Sequence, residues 1–113
     1  MPQQPEIEDP IDMALWRLNC MTQLRQEVLD MFTIIEGKVQ AFEKKLKSET
    51  GRKDDNKLLY TSFFDYQDSC RLSRERLEIL LNRDLQIHKD NLEDAKLNHQ
   101  IFESKKQAWL AEL

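Results

Sequence analysis

Residues 11–46 read IDMALWRLNCMTQLRQEVLDMFTIIEGKVQAFEKKL, and the spacing of apolar residues within this stretch decides the fold. From Ile11, alternating steps of three and four pass through Ala14, Leu18, Met21, Arg25, Val28, Phe32, Ile35, Val39, Phe42 and Leu46, and ten of these eleven residues are apolar. An unbroken repeat of this kind over about five heptads is the pattern of a helix packed along one seam against another helix. Its ends are marked as well. Asp9 is a good N-cap, Pro10 suits the first helical position, and Asp12 complements the positive end of the helix dipole. Lys44, Lys45 and Lys47 suit the negative end, and Gly51 offers a C-cap. Gly37 falls at an f position, where it lowers helix propensity without removing packing. The spacing predicts a helix over 10–50.

Residues 51–57, GRKDDNK, have turn composition, with Asp54, Asp55 or Asn56 as the next N-cap. A second helix is predicted over 56–113. Its stripe runs through Leu59, Phe63, Tyr66, Cys70, Ser73 and Leu77, then steps by four twice, to Leu81 and Leu85. It continues as His88, Leu92, Ala95, His99, Phe102, Lys106, Trp109 and Leu113. The doubled step is a stutter, which locally unwinds a supercoil. A short connection favours antiparallel neighbours, so pairing outward from the turn brings Phe42 near Phe63 and Ile11 near Ala95. The expected fold is all-α: two long antiparallel helices in a coiled-coil hairpin over 9–113, preceded by a disordered lead at 1–8. The hairpin is expected to belong to a three- or four-helix bundle completed by a second copy or a partner. From about residue 97 the second helix has no counterpart on the first, so an overhang is expected there.

Composition narrows the functional classes. Of 113 residues, 34% are charged and 40% hydrophobic, with a net charge of −4 and both signs interspersed. Phosphate binding needs a concentrated excess of Lys and Arg, so this balance argues against nucleic acid as the main partner. The run Arg71, Arg74, Arg76, Arg83 alternates with Glu75 and Glu78, and Arg74/Glu78 reads as an i,i+4 surface pair. Two cysteines, Cys20 and Cys70, make neither a disulfide framework nor a zinc site. His88 and His99 lie about 16 Å apart along the axis, too far to share a metal. There is no glycine-rich phosphate loop, nucleophile elbow or metal-ligand spacing. No enzyme activity, catalytic residue, metal, cofactor or small-molecule substrate is therefore expected. The polar, acidic N-terminus has no secretory pattern, and no apolar run approaches the length of a bilayer. An intracellular protein of the cytoplasm or nucleus is expected.

The apolar residues outnumber what one seam can use. Leu15, Leu24, Leu29 and Met31 flank the first stripe, and Leu58, Tyr60, Phe64, Leu72 and Ile79 flank the second. A face this broad suits a helix inside a larger bundle. Arg25, the one charged residue in the first seam, either fixes register opposite Asp84 or snorkels its charge to water. Trp16, at an f position, is a residue type favoured in binding hot spots. Ile101, Phe102, Trp109 and Leu113 lie on the overhang, which either docks onto a partner or continues into a longer coiled coil. Candidate partner-binding residues are thus Trp16, Leu24, Arg25, Met31, Phe64, Ile101, Phe102, Trp109 and Leu113. The expected partners are other coiled-coil proteins, whether a second copy or a different subunit. In composition and heptads the whole chain resembles small coiled-coil subunits of kinetochore, organelle-positioning, transcription-coactivator and ciliary assemblies. A structural or adaptor role follows as the expected function. A helical dimer on membrane surfaces and, more remotely, nucleic-acid binding are the alternatives.

Overall fold

The structure is a computed structural model and describes residues 3–4, 9–50 and 57–113, the side chains of residues 49 and 50 excepted. It consists of two α-helices, α1 (Pro10–Thr50, 41 residues) and α2 (Lys57–Glu112, 56 residues), arranged as an antiparallel hairpin. The expected turn, with Gly51 and the capping candidates Asp54, Asp55 and Asn56, lies outside the described residues. So does the expected disordered lead, apart from Gln3 and Gln4, which have no regular secondary structure.

The start of α1 is held as the sequence implies. Asp9 Oδ1 accepts from the backbone N–H of Ile11 at 2.8 Å and of Asp12 at 3.2 Å. The Asp9 carbonyl then accepts the first intrahelical bond, from Met13 N–H at 2.9 Å. Two donors that would otherwise have no helical partner are thereby satisfied. Inside the helices, Thr22, Thr33 and Thr61 each return their hydroxyl to the carbonyl four residues back, which removes their competition with the backbone.

The chain forms two compact units, one comprising Arg25–Leu80 and the other Met1–Leu24 with Leu81–Leu113. In the first, the turn-side unit, Leu46, Tyr60 and Phe63 are buried together and Val39 packs against them. Phe42 stacks on Phe63 with ring centroids 6.1 Å apart, as the outward pairing from the turn predicts. The stripe of α2 needs correction here. Leu59, Tyr66 and Ser73, assigned to the seam, are exposed, whereas Tyr60 is buried and Gln67 and Arg74 are half-buried. The helix is rotated so that Tyr60, Phe63, Gln67, Cys70 and Arg74 face inward. Two features favour that rotation. The Tyr60 ring closes over Leu46, and Arg74 reaches a carboxylate on α1 that Ser73 could not engage.

In the terminal unit, Ala14, Leu81 and Leu92 are buried. Leu18, Met21, Leu85, His88 and Ala95 are half-buried beside them. The step of four from Leu81 to Leu85 keeps both on the inward side, as the stutter requires. Asn98, His99 and Phe102 share a groove of about 610 Å³ with Asp9, Pro10 and Ile11. The end of α2 therefore runs beside the first turn of α1 through residue 102, further than the overhang expected from residue 97.

Candidate protein-interaction surfaces

A helix turning about 100° per residue sends neighbouring residues to different sides of its seam. On α1, with Val39 and Leu46 marking the seam, Glu36, Gln40 and Glu43 fall to one side. Met31, Ile34, Lys38 and Lys45 fall to the other, with Phe42 at that edge. On α2 the rotation described above places Gln67 and Arg71 on the first side, and Leu59, Ser62 and Tyr66 on the second. The turn-side unit thus has two flanks built from different chemistry.

The first flank is polar and closed by charge. Arg74 Nη1 donates to both carboxylate oxygens of Glu36 at 2.7 Å, and Arg74 Nε donates to Glu78 Oε1 at 3.0 Å. Hydrogen bonding to Glu36 first, and then to Glu78, holds the guanidinium above its ordinary pKa. The expected Arg74/Glu78 surface pair is present, and the pair from Arg74 to Glu36 across the hairpin accompanies it. Sequence spacing alone could not reveal the latter, because the two residues are 38 positions apart. Arg71 adds bridges to Glu75 at 3.1 Å and Asp68 at 3.9 Å, and Lys47 pairs with Glu43 at 3.1 Å.

The second flank is apolar and open. Phe42, Leu59 and Tyr66 are 50%, 45% and 71% exposed, and with Ile35 and Phe63 they line a groove of about 460 Å³. Lys38 is the one charged side chain in that lining. Met31 and Ile34 continue the apolar surface along α1. Among the described residues, neither Lys38 nor Lys45 has a carboxylate within 4.0 Å. Most of this flank was missing from the sequence reading, which assigned Ile35, Phe42, Leu59 and Tyr66 to the buried seam. Ile34, at a c position, gave no periodic signal at all.

The other candidates are distributed over both units. In the turn-side unit Met31 is well exposed, on the open flank. Phe64 is partly exposed, on the side of Phe63 away from Leu59 and Tyr66, and edge-on to Phe63 with centroids 5.6 Å apart. Arg25 is half-buried. In the terminal unit Trp16 is half-buried and, with Leu24 and His88, lines a shallow groove of about 220 Å³. It therefore leans toward α2, although an f position implies the opposite side. Asp84 is bridged by the neighbouring Arg83 at 3.2 Å. Ile101, Phe102, Trp109 and Leu113 are all exposed, Leu113 most fully.

Both cysteines are free thiols. Among the described residues no group of three or more His, Cys, Asp or Glu side chains is placed to hold a metal ion. No helix among them is long and apolar enough to cross a membrane. Comparison of the chain with protein-family models, with curated proteins and with solved structures gives no match.

Proposed function

We propose that this chain is a non-enzymatic coiled-coil subunit or adaptor that assembles with other helical proteins in a larger intracellular complex, in the cytoplasm or nucleus. The imbalance between buried and exposed apolar residues carries this reading. Among the described residues, six hydrophobic side chains are buried and twenty-one large ones are exposed. No side chain falls below 2% exposure. Apolar surface contributes roughly 25 cal/mol per Å² when buried, and contiguous exposed patches on proteins are used for association. Helix-on-helix docking is the form of burial these amphipathic faces fit.

The ion pairs support protein association over nucleic acid. Of the arginines that could have formed a phosphate-binding row, Arg71, Arg74 and Arg83 are each engaged by carboxylates. Light scattering on the purified full chain across a dilution series tests the reading. The expected result is association: the mass of two copies, or concentration-dependent clustering relieved by a co-expressed helical partner. A monodisperse, fully helical species of 13.5 kDa at every concentration that also takes up no helical partner would contradict it.

A further inference from the structure

We infer that the open flank of the turn-side unit is the seat for one α-helix of a different, acidic-flanked chain, which lies along α1 and α2 as the third helix of a bundle. The inference rests on the assembly reading above and specifies its surface and partner chemistry. Three observations lead to it. First, the groove lies between two parallel ridges, Ile35–Phe42 on α1 and Leu59–Tyr66 on α2. The ends of each ridge are seven residue steps apart, or about 10 Å, so the groove matches two turns of a helix laid lengthwise. Its lining is apolar except for Lys38 and Ser62, which suits an apolar stripe at heptad spacing.

Second, the charges are unevenly shared. The ion pairs made by Lys47, Arg71 and Arg74 all lie on the polar flank. Lys38 and Lys45 stand one heptad apart beside the groove, with no carboxylate within 4.0 Å among the described side chains. A docked helix carrying Glu or Asp at flanking positions one heptad apart would meet both.

Third, the same pattern disfavours pairing of this flank with α1 of a second copy. The g positions of α1 here are Met31, Lys38 and Lys45, with no acid among them. Antiparallel self-pairing of α1 would oppose g to g, setting cation against cation. Glu27, the nearest acid on that side, is further round the helix and already engaged.

The test uses the full chain and two synthetic helical peptides of about four heptads, both with a Leu/Ile seam. One carries Glu at every e and g position and the other Lys. The Glu peptide cannot pair well with itself, so fluorescence anisotropy reports its binding to the chain. The Glu peptide is expected to bind, and the Lys peptide to bind about tenfold more weakly or not at all. Tyr66→Glu, at a well-exposed position, should abolish binding while circular dichroism stays unchanged. The double variant Lys38→Glu, Lys45→Glu should reverse the preference between the peptides. Equal affinity for both peptides, or binding indifferent to Tyr66→Glu in a chain of unchanged helicity, would overturn the inference. So would a homodimer in light scattering that Tyr66→Glu dissolves, although the assembly reading would then stand. A stable monomer that binds neither peptide would overturn both.

Discussion

The two flanks of the turn-side unit share a backbone and a core, yet they treat their surroundings in opposite ways. On one, Glu36, Arg74 and Glu78 satisfy one another across and along the helices, leaving a surface finished in water. On the other, Phe42, Leu59 and Tyr66 stand open with Lys38 beside them. A charged network in a half-exposed position adds little stability but fixes which residues face which. Here it holds α2 at a rotation that turns Tyr66 outward and Tyr60 inward. The polar flank therefore does more than shed water: its ion pair helps expose the apolar flank that we propose as the docking surface.

The comparison can be broken most severely at the axis the flanks share. Phe63→Ala removes a buried ring from both the Leu46–Tyr60 cluster and the Phe42 stack. A loss of about 3 kcal/mol is expected, enough to erase much of the helical signal in circular dichroism. Next comes the open flank itself. Tyr66→Glu should shift the stability of the isolated chain by no more than about 0.5 kcal/mol, while eliminating binding of the Glu-flanked helical peptide. A large stability loss would place Tyr66 in the core after all.

The closed flank should respond less. Glu36→Gln and Arg74→Gln should each lower the melting temperature modestly, and a double-mutant cycle should show a favourable coupling that shrinks with added salt. The pH dependence of this coupling follows from Arg74. Its folded-state pKa is raised, so the stabilising preference for the charged form is fully present below the ordinary guanidinium range. It fades only as pH rises through that raised value. From about pH 7 to about pH 10, Arg74 therefore adds no slope to the stability difference between wild type and Arg74→Gln. Smallest of all should be Arg71→Ala, where both members of the pair with Glu75 are more than half exposed and melting should not change measurably.

What the sequence made legible, and what it did not, follows the same division. The α1 stripe was legible because only one set of positions between Ile11 and Leu46 is consistently apolar, although Ile35 and Phe42 within it are exposed, and Asp9 caps it by a mechanism visible in its residue type. In α2 near the turn, two ladders run side by side through Phe63 and Cys70. One passes Leu59, Tyr66 and Ser73, the other Tyr60, Gln67 and Arg74. Hydrophobicity favours the first, since it has Tyr66 where the second has Gln67. The structure takes the second, because Tyr60 fits over Leu46 and Arg74 finds Glu36. Such a choice depends on residues brought together from distant positions, and periodicity contains no information about them. The open groove went unread for the same reason: its residues had been assigned to a seam that faces elsewhere. Met31 was legible because it flanks the α1 stripe at a g position, and Trp109 and Leu113 because the first helix has no counterpart for them.

The central claim is that this hairpin is incomplete alone. Thermal unfolding of the purified full chain, followed by circular dichroism from high dilution to high concentration, tests it most directly. With six buried hydrophobic side chains among the described residues, the chain at high dilution should melt broadly and below about 45 °C. Its midpoint should climb with concentration or with an added helical partner, as linkage requires. A sharp transition above about 60 °C that is independent of concentration would contradict the account, showing that two helices suffice and the exposed faces need no cover.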